Sequence, residues 1–219
     1  MRSSIWLLAV MALTLGVVTE TGNAQGSTAG ARAGQPSGQR AGAPPAQAAP
    51  AAAAKRSPGA GPVIVFETAK GSFEMETYPN ESPKSVEHIL TLVKRNFYNG
   101  LRVHRLVPGF VVQFGDPQTR DMTKRDLWGT RGSGREIGVS EISPKRPHRL
   151  GAVALAHRGD ARGADSQIYI ALAGLDEPRI ANINGDFAVV GQIISGMDVV
   201  QKLQETDVIR RATVKAPAK

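Results

Sequence analysis

The 219 residues contain no cysteine, which excludes a disulfide framework, thiolate metal ligands, a cysteine nucleophile and a lipid-modified cysteine behind a leader. Metal-ligand spacing is missing as well. His88, His104, His148 and His157 form no H-x-x-x-H or related pattern, and zinc chemistry has no visible home. No serine sits in a G-x-S-x-G elbow, and none of the histidines stands in a nucleophile-base arrangement, so triad hydrolysis is a poor reading. Long apolar runs are also scarce: one spans Ile5 to Val18, short of the roughly 20 apolar residues that cross a bilayer.

That one run has a context. Arg2 precedes it and Gly22-Asn23-Ala24 follows it, giving a positive start, a short hydrophobic stretch and a small-residue cleavage site. Residues 1–24 read as a secretory signal peptide, with a bacterial periplasm or the medium as the destination and no membrane span once it is removed. Residues 25–61 are almost entirely Ala, Gly, Pro, Gln and Ser and have no large apolar residue with which to build a core, so they read as a disordered linker. Arg32, Arg40, Lys55 and Arg56 in that linker carry half of the formal net charge of +8. The excess left for the rest is modest. Its densest patch, Arg120, Lys124, Arg125, Arg131 and Arg135, is interrupted by Asp121 and Asp126 and offers only Trp128 for stacking, so nucleic acid is not an expected partner.

Residues 62–215 have the pattern of a compact domain, with 216–219 as a tail. Val63–Phe66 and Phe73–Tyr78 flank Ala69-Lys70-Gly71-Ser72 as a hairpin, the second run alternating apolar with polar. Ser82-Pro83 supplies a cap and a first-turn proline for a helix that buries Val86, Ile89, Leu90, Val93 and Phe97 and is predicted to end at Tyr98-Asn99-Gly100. Further strands are predicted over 102–107, 110–114, 151–157, 167–173, 187–194 and 208–214, with a second helix after Ser195-Gly196 burying Met197, Val200 and Leu203. Mostly strands with one early and one late helix argue for a mainly β fold, a closed barrel whose ends the helices plug.

Within that domain, Arg102 to Asp116 (R-V-H-R-L-V-P-G-F-V-V-Q-F-G-D) places a fixed cation beside an aromatic and a string of aliphatics, a combination suited to binding proline and donating a hydrogen bond to it. His104, Arg105, Pro108, Gly109, Phe110, Gln113, Gly115 and Asp116 closely resemble the signature of the cyclophilin-type peptidyl-prolyl isomerases. Leu155-Ala156-His157, Ser166-Gln167-Ile168-Tyr169-Ile170 and Asn184 to Gly191 resemble later motifs of that family, in the same order. The resemblance implies an eight-stranded antiparallel β-barrel capped by two α-helices, acting as a monomer on proline-containing polypeptides, without metal or cofactor.

Carried over residue by residue, the resemblance makes Arg105 the catalytic arginine and the adjacent His104 a substrate-binding residue. Phe110, Val111, Tyr169, Ile183 and Phe187 become walls of a proline pocket, and Gln113, Ala156, His157 and Gln167 become contacts to substrate backbone. Some positions depart from the family: Val111 replaces a methionine, Tyr169 a phenylalanine and Phe187 a histidine or tyrosine. Asn182 stands where cyclosporin-sensitive members carry tryptophan, which argues against tight binding of that drug. The segment 118–134 also departs and suggests no role. Arg158-Gly159-Asp160 matches an adhesion tripeptide but reads as loop chemistry, and Gly132-Ser133-Gly134 as a flexible turn. A rival from another class is a chaperone that holds proline-containing chains in the same groove without accelerating their rotation.

Overall fold

The computed structural model describes residues 56–216; the predicted leader, most of the linker and the last three residues lie outside that range. Its elements run in the order β1 (Val63–Thr68), β2 (Gly71–Thr77), α1 (Pro83–Lys94), β3 (Arg105–Val107), β4 (Val111–Phe114), β5 (Ala152–Leu155), β6 (Ile168–Ala171), α2 (Pro178–Ile183), β7 (Val189–Ser195), α3 (Met197–Lys202) and β8 (Arg211–Val214). All strand pairs are antiparallel, and the eight strands form one sheet in the order β3-β4-β6-β5-β7-β2-β1-β8.

The sheet curls until its edges approach, but no ladder joins β3 to β8. The seam is closed instead by the flanking chain. Arg102 and Val208 form an isolated antiparallel bridge, and backbone bonds run from Gly100 N to Ile209 O, Ile209 N to Leu101 O, Val103 N to Asp207 O and Thr206 N to Val103 O. The predicted closed barrel is therefore a curled sheet with an irregular seam.

Alternation along each strand divides the buried residues into two groups. Phe66, Phe73, Met75, Val112, Phe114, Val153, Leu155, Ile168, Ile170 and Val190 point into the barrel and pack there with α1 residues such as Ile89 and Val93. Phe66 is the hub of this interior. Its ring stacks on Phe73 with centroids 5.1 Å apart and meets Phe114 and Tyr98 edge-on at 5.5 and 6.1 Å. The opposite face of the same strands carries Val111, Ala152, Ala154, Tyr169, Ala171 and Val189, which form a second apolar cluster with Tyr78 and Ile180 outside the barrel. Strands β4, β5 and β6 are buried on both faces, which is why they read as near-continuous apolar runs.

The structure alters several predicted boundaries. Helix α1 stops at Lys94 rather than at Tyr98, because Asn96 adopts a left-handed backbone with φ 56° and Phe97 N turns back to Leu92 O. Ser82 does not cap it by its side chain; Glu141, 57 residues on from Lys84, accepts from the Lys84 and Ser85 N–H groups at 3.0 and 2.8 Å. The hairpin turn is tighter than predicted, with Thr68 paired directly to Gly71. Helix α2 was not foreseen, since a six-residue helix leaves little periodicity to read.

Candidate active site

The cross-strand register builds the site. Arg105 pairs with Gln113, Gln113 with Tyr169 and Tyr169 with Ala154, so these four residues form one row across β3, β4, β6 and β5 and project from one face of the sheet. Val111, two residues before Gln113, shares that outer face. Phe110 precedes β4, Ile183 ends α2, and Phe187 precedes β7; all three pack on the outer cluster while staying partly exposed. Together with Ala156, His157 and Gln167 they surround a single cleft of about 1080 Å³.

Ten of the eleven predicted site residues thus line one cavity, although they come from positions 105 to 187. The eleventh, His104, does not line it. Alternation along the chain turns its side chain away from that of Arg105, under the loop at Gly129, where a Cβ would lie 3.3 Å from the imidazole. Burial pulls the His104 pKa below its usual value, with Asp116 acting in the opposite direction.

Arg105 is exposed, and its guanidinium is held from two sides. Nη1 donates to Gln113 Oε1 at 3.3 Å, and the guanidinium carbon lies 5.8 Å from the Phe110 ring centre. Among the described residues no carboxylate pairs with it, so most of its donors stay available. Gln113 is 9% exposed and continues the chain, donating from Nε2 to Gln167 Oε1 at 2.8 Å. Gln167 Nε2 then donates to the carbonyls of Gly129 and Arg131 at 3.0 and 2.8 Å. An unbroken amide relay therefore runs from the cation to the 129–131 loop. Cation, amide row and adjacent apolar walls together can bind a small ring and direct hydrogen bonds at its edge.

Residues 118–134 suggested no role as sequence, yet Gly129, Thr130, Arg131, Gly132 and Gly134 form the far rim of the cleft. Asp165 anchors this rim: its carboxylate accepts from Ser133 Oγ, from Gly134 N at 2.9 Å and from Arg135 N at 3.2 Å, with His88 Nε2 at 3.1 Å. Burial opposes the Asp165 charge, but these donors prevail and lower its pKa. Gly132 packs so closely that a Cβ would lie 2.3 Å from an Asp165 oxygen. The glycines at 129, 132 and 134 were the available signal; the carbonyl acceptors have none.

On the opposite rim, His157 lies against Phe187 with ring centroids 4.4 Å apart, and its Nε2 donates to Asp186 O at 2.9 Å. Phe187 meets Tyr169 edge-on at 5.6 Å. Among the described residues no group of three or more His, Cys, Asp or Glu side chains could hold a metal ion.

Known proteins resemble this chain in sequence and in fold. The profile described as "Cyclophilin type peptidyl-prolyl cis-trans isomerase/CLD" matches residues 63–219. A Brucella abortus protein named "Probable peptidyl-prolyl cis-trans isomerase" is 34% identical over 159 residues, covering 71% of this chain and 78% of the relative. A Helicobacter pylori peptidyl-prolyl cis-trans isomerase is 32% identical over 145 residues, 65% of this chain and 80% of its own length. Among solved structures, a Cryptosporidium parvum cyclophilin type peptidyl-prolyl cis-trans isomerase superposes with a TM-score of 0.60 at 20% identity, covering 72% of this chain and 99% of that one. A Hirschia baltica cyclophilin gives 0.58 at 19% identity, over 71% and 75% of the two chains; these structural likenesses concern the fold. With its profile match and its row of outward residues, the chain belongs to the cyclophilin-type peptidyl-prolyl cis-trans isomerase family.

Proposed function

We propose that the protein accelerates rotation about X-Pro bonds, with Arg105 as hydrogen-bond donor to the proline nitrogen and the neighbouring apolar walls as the slot for the pyrrolidine ring. An X-Pro amide rotates slowly because its C–N bond has partial double-bond character, with a barrier near ~20 kcal/mol. Twisting breaks the conjugation and localises a lone pair on nitrogen. A donor aimed at that nitrogen stabilises the twisted state more than either planar isomer. The observation that carries this reading is the placement of an unpaired guanidinium, steadied by Gln113 and Phe110, on the rim of an apolar cleft.

Magnitudes divide the work. A hydrogen bond to a charged group contributes about 1.5–3 kcal/mol, or roughly one to two decades of rate. The rest comes from Phe110, Val111, Tyr169, Ile183 and Phe187, which exclude water from the ring and hold it while the preceding carbonyl turns. Gln113, Gln167, Ala156 and His157 are positioned to meet substrate backbone along the cleft. The substrates are proline-containing polypeptides, and a solved structural neighbour was crystallised in the presence of the dipeptide Ala-Pro. The protein acts as a monomer and does not bind nucleic acid. Residues 1–24 direct export to the periplasm or medium, residues 25–61 tether the domain, and 62–215 carry the activity.

The test measures cis-trans exchange of an X-Pro tetrapeptide by NMR. The parent accelerates exchange, and Arg105→Ala lowers kcat/KM by about 10- to 100-fold with an unchanged melting midpoint. Arg105→Lys stays impaired, because an ammonium lacks the planar fork. Proline-peptide binding without acceleration in the parent would instead establish a holding role.

A further inference from the structure

The outer face of β6 carries a tyrosine where the resemblance expects phenylalanine, and the fold supplies a partner for the added hydroxyl. Tyr169 Oη lies 2.7 Å from His148 Nε2, with the two rings nearly parallel and their centroids 5.8 Å apart. His148 is 1% exposed and does not line the cleft. Its backbone N–H and its Nδ1 both reach Asn184 Oδ1, at 2.9 and 3.3 Å. An amide oxygen only accepts, so Nδ1 carries the proton; the neutral ring then accepts at Nε2 from the tyrosine hydroxyl. Every polar atom of the buried imidazole is thereby satisfied. Burial pulls the His148 pKa down, consistent with a neutral ring.

The two ends of this chain belong to adjoining walls of the cleft. Tyr169 lies on β6, and Asn184 directly follows α2, between Ile183 and Phe187, which also line the cleft. The Tyr169 and Phe187 rings touch edge-on, and the hydrogen bonds through His148 join the same two segments. Two walls tied at both points keep a fixed position relative to each other.

We infer that Tyr169, His148 and Asn184 fix the spacing between the β6 wall and the α2 wall, and thereby select a five-membered proline ring over the six-membered ring of pipecolic acid. The inference rests on the reading of the cleft as a proline slot. His148 is a positioning residue: it acts on substrate through Tyr169 and through the segment that carries Ile183 and Phe187.

Two tetrapeptides that differ only in proline or pipecolic acid test it, each followed by NMR exchange and by binding titration. One methylene in an apolar pocket is worth roughly 10- to 200-fold in discrimination, and the parent is expected to favour proline within that range. Tyr169→Phe removes only the hydroxyl, and His148→Leu removes the acceptor; each lowers the proline-to-pipecolate ratio by about threefold to tenfold, through loss on the proline substrate. His148→Gln, which can both accept and donate, restores most of the ratio. An unchanged ratio in folded Tyr169→Phe overturns the inference, as does an equal loss on both substrates or failure of the parent to bind either peptide. A parent that binds with ring-size preference but does not accelerate exchange, and whose variants lose that preference, would sink the isomerase reading while leaving the wall assignment standing.

Discussion

The same eight strands carry two apolar regions, one inside the barrel and one outside, and they are finished differently. The interior is filled with large side chains such as Phe66, Phe73, Phe114, Ile168 and Ile170, all at most 1% exposed. On the outer face the cluster mixes the small Ala152, Ala154 and Ala171 with the larger Val111, Tyr169 and Ile180, and its margin, at Phe110, Ile183 and Phe187, stays partly exposed. Val111, Tyr169 and those three marginal residues line the cleft. The outer region is thus an apolar cluster left open on one side, where the inner one is filled throughout.

The sharpest way to break this contrast is to empty the interior. Phe66→Ala is expected to cost about 3–5 kcal/mol, since the ring contacts three other aromatics and little around it can collapse. Urea unfolding measures the cost, while kcat/KM per folded molecule stays near the parent value. A normal midpoint in this variant would refute the division between inner and outer packing.

A smaller effect is expected from Gln167→Ala. It removes the donor to Gly129 O and Arg131 O and the acceptor for Gln113 Nε2, at about 1 kcal/mol for each net hydrogen bond. All three bonds lie at the cleft, so the loss should appear as a roughly tenfold fall in kcat/KM and faster amide exchange at 129–131, with a modest change in midpoint. Unaltered exchange in that loop would show that the amide relay does not hold it.

The smallest effect is pH. Burial depresses His104 and His148; Asp116, Arg105 and Glu205 act on the first, and Tyr169 and Asp186 face the second. A depressed histidine contributes stability that is complete above its unfolded pKa, about 6.5, and is lost as pH falls toward the lower folded value. Stability should therefore be level above about pH 6.5 and decline below it, by at most about 1.4 kcal/mol per pH unit for each proton bound. His148→Gln removes one share of that slope, readable from urea midpoints at pH 7 and pH 5. A slope that the substitution leaves intact would assign the whole effect elsewhere.

Much of this was legible in the sequence, and the exceptions share a cause. Strand β1 announces itself by its apolar run, β2 by alternation, α1 by its spacing, and the Arg105 to Gln113 segment by adjacency of its residues. What could not be read lies in contacts between distant residues: Glu141 capping α1 across 57 positions, or His148 meeting Asn184 across 36. The rim at 129–134 stayed silent for another reason, since it is held largely through backbone atoms, which every residue possesses. His104, adjacent to Arg105, shows the opposite error: neighbours on a strand face opposite ways, so proximity in the signature did not bring it into the cleft.

The irregular seam of the sheet has a bearing on how the molecule tolerates company. A row of unsatisfied N–H and C=O groups is a template onto which any extended polypeptide can add. Here the turns beside β3 and β8 exchange main-chain bonds, and the Leu106 amide on the β3 edge donates to the Glu205 carboxylate at 3.4 Å. A proline-containing chain can thus meet the side chains of the outer face without being drawn into the β-structure itself.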